Sequence, residues 1–427
     1  MSGAAILFLS FIVLLFLNVP IALSLGVSSI IAMLAAGLPL DLFPMTIYAG
    51  IGKFTLLAIP FFILAGNTME KAGISDKLID LANKCVGHKK GGLAIVCVIT
   101  SCFFAAISGS GPATVAALGV IIIPAMINAG YGKEMPSALL ATAGSIGVII
   151  PPSIPFVVYG AIAGVSIGKI FIAGIVPGLV MGGALIIASL FYIKKMNIKQ
   201  QQKATGKEVW KSFVDAIWGL LMPVIILGGI YGGIFTPTEA AAVAAVYGIL
   251  VGMFVYKKIS LKGLYELLNE SAIGSAVVMF IVACASFFAW FVTTEGIADM
   301  ASQFLLSVSG NKIVFLLIMN VILLIAGCFL DATSALYVFT PIMLPVALQL
   351  GYDPVLLGVV MTMNLAIGMV TPPVGVNLYV ACGVSKITLK QISIAVIPFV
   401  LASILVLLLV TYIPQIALFL PNVMGIK

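Results

Sequence analysis

The sequence predicts an all-α polytopic membrane protein made of two inverted-topology repeats, each holding one re-entrant hairpin and one broken helix. Three observations carry this. The chain is 62% hydrophobic and 8% charged, with mean hydropathy +1.27, and a water-soluble globule of this size cannot hide so much apolar surface. Many apolar runs approach or exceed the ~18 residues of a membrane helix, whereas barrel strands alternate over ~10. Finally, a pair of interrupted apolar segments occurs twice.

The first pair is Phe104-Ala-Ala-Ile-Ser-Gly-Ser-Gly-Pro-Ala-Thr114 and Gly144-Ser-Ile-Gly-Val-Ile-Ile-Pro-Pro-Ser153. The second is Phe329-Leu-Asp-Ala-Thr-Ser-Ala335 and Asn364-Leu-Ala-Ile-Gly-Met-Val-Thr-Pro-Pro373. Ser110 and Asp331, Pro124 and Pro345, Gly147 and Gly368, Pro151 and Pro372, and Pro152 and Pro373 are each 221 positions apart. Glycines, prolines and hydroxyls free backbone groups from helical hydrogen bonds. At membrane depth such backbone is tolerated only inside protein or along a watery cavity, so matching breaks in two halves point to a transporter's midplane site.

Taken in order, residues 3–36 are apolar but carry Asn18-Val-Pro20, which leaves one tilted helix or two short ones open. The N-terminus lacks a basic n-region, so no cleavable signal is expected. A helix over 53–70 follows a loop holding Asp41, and 75–90 mixes charges with Leu78, Ile79 and Leu81 as an interfacial amphipathic helix. Residues 91–129 form the first hairpin, 136–164 the first broken helix and 168–193 a further helix. The segment 194–211, with six lysines and one glutamate, is cytoplasmic by the positive-inside rule and joins the repeats. Helices over 213–235 and 237–256 open the second half. A span over 271–292, an amphipathic stretch over 293–311, a hairpin over 312–350, a broken helix over 354–383 and a last helix over 391–413 complete it. An odd number of crossings separates equivalent points, so the hairpins enter from opposite sides.

The chemistry available is narrow. All 21 basic residues are lysines, so no guanidinium can clamp a carboxylate bidentately. The net charge of +7 reflects lysines at membrane edges and offers no nucleic-acid surface. The six cysteines have no Cys-x-x-Cys spacing and read as reduced core residues. His88 is the sole histidine and reads as solvated. Without a partner for Ser108 or a metal-ligand motif, hydrolytic chemistry has no footing, and the chain is expected not to be an enzyme.

At the first hairpin, Pro112 fits the first position of a helix capped by Ser110 or Gly111, whose free N–H groups would face an anion. The carbonyls ending the preceding helix, with hydroxyls of Ser108, Ser110 and Thr114, suit a small hard cation. Ordinary capping with packing glycines is the plainer alternative. Gly111, Gly144, Ser145 and Gly147 supply further backbone, and Ser153 a hydroxyl. In the second half, Asp331 is an intramembrane carboxylate that reads as a helix cap, a cation ligand or both. Thr333, Ser334, Asn364, Gly368 and Thr371 are its companions. Asn377 reads equally as a substrate donor or an interhelical contact. This hydroxyl and carbonyl character favours sodium over protons, with two sites. Thr236-Pro-Thr-Glu239 reads as a capping box.

Together Ser-Gly-Ser-Gly-Pro-Ala-Thr114, Gly147-Val-Ile-Ile-Pro-Pro-Ser-Ile-Pro155, Thr236-Pro-Thr-Glu-Ala-Ala-Ala242, Asp331-Ala-Thr-Ser334 and Thr371-Pro-Pro-Val-Gly-Val-Asn377 resemble the large membrane subunit of tripartite ATP-independent periplasmic (TRAP) transporters, from near the N-terminus to about residue 413. The resemblance implies a bacterial inner-membrane carrier importing an organic acid with sodium. It also implies a periplasmic substrate-binding protein and a separate small four-helix membrane subunit as partners. The implied fold is elevator-type, similar to the wider ion-transporter superfamily. Residues 53–164 and 271–383 would move as a block against scaffold segments 1–52, 165–270 and 384–427. Substrate is expected to touch Ser110, Pro152, Ser153, Thr333, Pro373 and Asn377. Sialic acid is favoured and C4-dicarboxylates are the alternative. A stand-alone sodium/anion carrier, an intramembrane enzyme and an inert structural subunit are the competing readings.

Overall fold

The computed structural model describes residues 3–194, 196, 198, 201–309 and 311–425. Lys195 and Lys199 of the lysine-rich segment, Gly310 beside the second hairpin and residues 426–427 of the predicted tail lie outside the described residues. Among the described residues every regular element is helical. Among these residues seven helices are long and apolar enough to cross a membrane, or up to nine if each of two bent pairs counts as one span.

The N-terminal run resolves into two helices, α1 (Gly3–Phe16) and α2 (Ile21–Ala35). Asn18 turns left-handed, at φ 60°, and Pro20 cannot donate into a continuous helix. The expected loop around Asp41 is shorter than predicted, because α3 (Leu42–Ile51) follows it and bends by 61° into a short 3-10 turn and α4 (Ala58–Lys71). Then come amphipathic α5 (Ile74–Val86), hairpin α6 (Gly92–Ser108) and α7 (Gly111–Asn128), broken helix α8 (Glu134–Ser145) and α9 (Ile154–Ala163), and α10 (Ile167–Ile193).

α11 (Gly206–Tyr231) starts within the lysine-rich segment rather than beyond it. Thr205 and Glu208 form a reciprocal capping box there, so the polar stretch ends in a helical turn. α12 (Pro237–Leu250) begins at the predicted capping box, where Glu239 accepts from the Thr236 N–H at 2.8 Å. α13 (Leu261–Thr294) starts ten residues earlier than the predicted span. Its early turns carry Lys262, Glu266 and Glu270, a charged surface that hydropathy alone reads as outside the membrane. α14 (Ile297–Ser309) leads to hairpin α15 (Lys312–Phe329) and α16 (Ala332–Gln349), then broken helix α17 (Pro354–Gly368) and α18 (Val376–Ser385). The last predicted helix is a bent pair, α19 (Leu389–Ala395) and α20 (Ile397–Tyr412), which turns by 51° and is followed by α21 (Gln415–Val423).

Both ends of α7 and α16 lie 221 positions apart, the same offset as the sequence repeat. The repeats interlock. α7 packs on α8 of its own unit and α18 of the other, while α16 packs on α17 of its own unit and α9 of the other. The innermost elements are α8, buried from Met135 to Ser145, and α17, buried from Val355 to Gly368. Around them α13 lies along α2, α3 and α4, α4 along α12, and α10 along α20. Each broken helix therefore ends at the centre of the molecule, against the tip of a hairpin.

Candidate binding site at the hairpin tips

The first tip forms where α6 stops. Gly109 takes φ +61°, a left-handed conformation that costs glycine little, and its N–H closes on the Ala105 carbonyl. Ser110 then caps α7 in extended conformation, but its hydroxyl makes no cap bond, and Gly111 rather than Pro112 is the first helical residue. Proline is tolerated in that first turn because its missing N–H would have lacked a helical partner. The Thr114 hydroxyl donates to the Ser110 carbonyl at 2.8 Å and lies 2.9 Å from the Ser108 hydroxyl. Ser108 and Thr114 are buried and Ser110 is half-buried.

Gly147 closes this cluster from the broken helix. A Cβ there would sit 2.9 Å from both the Ser110 carbonyl oxygen and Thr114 Oγ1, so only glycine lets α8 come so near. A Cβ on Gly111 would meet the Gly144 carbonyl at 3.4 Å and the Asn377 amide at 3.2 Å. Asn377 thus reaches from the second repeat to the tip of the first. Its Nδ2 donates to the Ala141 carbonyl at 3.1 Å, while Oδ1 is buried without a hydrogen-bond partner. Such an oxygen is costly to bury unless a donor or cation completes it. The Pro152 carbonyl faces Gly109, 2.7 Å from where a Cβ would be. Ser153 is spent on structure, donating to the Val148 carbonyl at 2.6 Å and accepting from the Phe156 N–H. Ser145 likewise turns back to its own helix, donating to Thr142 at 2.7 Å.

The second tip follows the same plan with a carboxylate. Asp331 caps α16, accepting from the Ser334 N–H at 3.1 Å with one oxygen and from the Ser334 hydroxyl with the other. Gly368, equivalent to Gly147, packs directly on the backbone of Gly327; a Cβ there would lie 2.8 Å from the Gly327 carbonyl. Thr371 donates to the Ile367 carbonyl at 2.8 Å, and Thr333, the second residue of α16, is buried. Asn364 donates to Asn320 and to the Val360 carbonyl, each at 2.8 Å, leaving its Oδ1 buried without a partner. Asn320 donates onward to Thr411 at 3.2 Å. Pro373 and Pro372 are exposed, whereas Pro151 and Pro152 are buried. Both Pro-Pro bonds are cis.

The structure therefore gathers Ser108, Ser110, Gly111, Thr114, Gly144, Gly147, Pro152 and Asn377 at one tip; at the other it brings Asp331 and Ser334 together with Thr333 beside them, while Gly368 packs on Gly327 and Thr371 bonds within its own segment. Asn364 stands one helical turn before Gly368, tied to α15. Sequence reasoning missed Asn320 and Gly327. Asn320 had a signal, a lone amide in the run Ile-Met-Asn-Val-Ile; Gly327 had none beyond its closeness to Asp331. His88 is half-buried with an unpartnered Nδ1, so it is less solvated than expected. All six cysteines are free, and Cys85 alone is exposed.

Carbonyl and hydroxyl oxygens thus converge at the first helix break, and the Asp331 carboxylate stands with Ser334 at the second. Residues 8–416 match the family described as "Tripartite ATP-independent periplasmic transporter, DctM component". The chain belongs to this family. It is 47% identical to the isethionate TRAP transporter permease protein DctMQ of Oleidesulfovibrio alaskensis over 97% of this chain and 66% of that longer protein. Identity to the C4-dicarboxylate TRAP transporter large permease protein DctM of Rhodobacter capsulatus is 39%, over 99% of this chain and 100% of that one. With the sialic acid TRAP transporter large permease protein SiaM of Vibrio cholerae it is 38%, over 96% of each. Among solved structures the YdaH transporter of Alcanivorax borkumensis superposes with TM-score 0.64 at 14% identity, covering 90% of both chains; that likeness concerns the fold alone. The protein is accordingly a multi-pass inner-membrane TRAP large permease and not an enzyme.

Proposed function

We propose that this permease couples sodium entry to import of an organic anion handed over by a periplasmic binding protein, with a small four-helix membrane subunit bracing its outer helices. The observation that carries the reading is the first tip, where the Ser110 carbonyl and the Ser108 and Thr114 hydroxyls converge beside Gly147. One sodium ion binds there, near the buried Asn377 amide oxygen that lacks a partner, and another at Asp331. The anion lies between them, held by the N-termini of α7 and α16, the Ser110 hydroxyl and the bound cations, because the chain has no arginine.

Movement follows an elevator scheme in which the hairpins and broken helices of 53–164 and 271–383 travel together. Their interlocking across the repeats supports this. α4 and α13 lie along α12 and along α2 and α3, so they link the block to its frame.

The substrate class is an organic acid. Sialic acid, isethionate and C4-dicarboxylates form the panel, because relatives of similar identity are named for each of them. The test is uptake of each radiolabelled acid into proteoliposomes holding this chain and its small subunit, with and without an inward sodium gradient and the cognate binding protein. Uptake requiring both establishes the reading. Sodium-driven uptake without the binding protein would favour a stand-alone carrier, and uptake indifferent to sodium would overturn the coupling.

A further inference from the structure

A cavity of about 930 Å³ opens where the end of α5 meets the start of α11, walled by Leu78, Leu81, Phe103, Val209, Trp210 and Phe213. Ile99, Phe103 and Leu220 also line a second cavity of about 510 Å³, which runs between α6, α10 and α11 past Leu179 and Gly183 to Ala106 and Ile150. The two form one apolar groove. It starts at the lysine-rich face and ends two residues from Ser108, behind the first tip.

Its mouth is polar and basic. Lys84, His88 and Lys203 line it. Two carboxylates stand near it: Asp80 pairs with Lys84 at 3.1 Å and accepts from Ser212, so a phosphate must share Lys84 with it, and Glu208 accepts from the Thr205 N–H at 2.7 Å, which leaves Lys203 as the lining lysine that no carboxylate holds among the described residues. Lys203 is exposed, and His88 Nδ1 is buried without a partner. A slot that is cationic at the interface and apolar below it matches an anionic phospholipid, with phosphate at the mouth and an acyl chain along the wall.

We infer that this groove is a binding site for one anionic phospholipid, its phosphate held by Lys84, His88 and Lys203 and one acyl chain lying along Ile99, Phe103 and Leu220 towards Ala106. The lipid fills the seam between the hairpin unit and α10 and α11, keeping the back of the first tip dry. This inference is independent of the transported substrate, because it concerns binding alone.

The experiment uses Trp210, which stacks on Phe213 with ring centroids 5.7 Å apart at the groove wall. With Trp218→Phe and Trp290→Phe it is the sole tryptophan of the full chain. Its fluorescence is quenched in vesicles mixing ordinary lipid with acyl-brominated phosphatidylglycerol or acyl-brominated phosphatidylcholine. Phosphatidylglycerol should compete for the site roughly fivefold better per lysine engaged. Lys84→Gln with Lys203→Gln should bring the two lipids level, and Lys386→Gln should change nothing. Gly183→Phe should reduce quenching by both lipids, since Gly183 lines the lower groove and a Cβ there meets nothing within 4 Å. Equal quenching by the two lipids, or a preference untouched by the lysine variants, would overturn the site. So would loss of quenching by both lipids when the small subunit is added, because the groove would then be a protein contact.

Discussion

The two hairpin tips share one backbone plan and differ in chemistry and exposure. At the first, neutral donors are buried and orient one another, Thr114 bonding to Ser108 and to the Ser110 carbonyl, and Pro151, Pro152 and Ser153 are buried behind them. At the second, the half-buried Asp331 carboxylate caps its own helix, and Pro372 and Pro373 lie exposed. The difference teaches that duplication preserved where the helices break but not how each break is satisfied. Two copies of one backbone plan are thus unequally exposed in this structure.

The largest contrast should appear in thiol labelling. In a cysteine-free chain, Val374→Cys, beside the exposed prolines, should react readily with a membrane-impermeant maleimide. Ser153→Cys, at the equivalent position and 0% exposed, should react only after unfolding. Similar rates at both would break the comparison.

Next comes the charge. Asp331→Ala removes a helix cap worth about 1 kcal/mol and a charged ligand worth about 1.5–3 kcal/mol, so sodium half-saturation should rise ~10–100-fold. Asp331→Ser keeps a cap without the charge and should recover stability but not sodium affinity. Thr114→Val, which loses a neutral ligand, should raise half-saturation less, by roughly 2–10-fold. A larger effect from Thr114→Val than from Asp331→Ala would reverse the ranking of the two sites.

The glycines sharpen the same contrast through stability. Forcing a methyl group into a close-packed site costs about 1–3 kcal/mol. Gly368→Ala should lie at the upper end, because its Cβ would come within 2.4 Å of the Gly327 backbone, and Gly147→Ala lower, because its nearest neighbours, the Ser110 carbonyl oxygen and Thr114 Oγ1, lie at 2.9 Å. Thermal unfolding of the two purified variants measures this directly. Equal losses would mean that the first tip is as rigid as the second.

Much of this was legible in the sequence, and the limits have physical causes. The hairpins, broken helices and 221-residue offset follow from glycine and proline in apolar runs, signals that depend on local backbone sterics. Asp331 as a cap and Thr236 with Glu239 as a box were readable for the same reason. The box at Thr205 and Glu208 carried the same spacing but lay hidden in a polar stretch. What could not be read was tertiary: that Asn377 crosses to the opposite repeat, that Gly327 meets Gly368, and that Ser145 and Ser153 spend their hydroxyls on nearby carbonyls. Residue type states what a side chain can bond to, while packing decides which partner is near.

Ser110 gives the smallest expected effect and the most discriminating one. Its carbonyl faces Thr114 and Gly147, and its hydroxyl makes no cap bond. Ser110→Ala keeps the carbonyl in place, so sodium half-saturation should move by no more than about 0.5 kcal/mol, roughly twofold. In the proposed site the Ser110 hydroxyl contacts the substrate, so losing its net hydrogen bond of about 0.5–1.5 kcal/mol should weaken substrate half-saturation roughly 2–10-fold. Uptake titrated separately in sodium and in substrate resolves the two. If sodium affinity fell instead, the hydroxyl rather than the carbonyl would be the ligand, and the first tip would bind its cation through side chains, as proposed for the second.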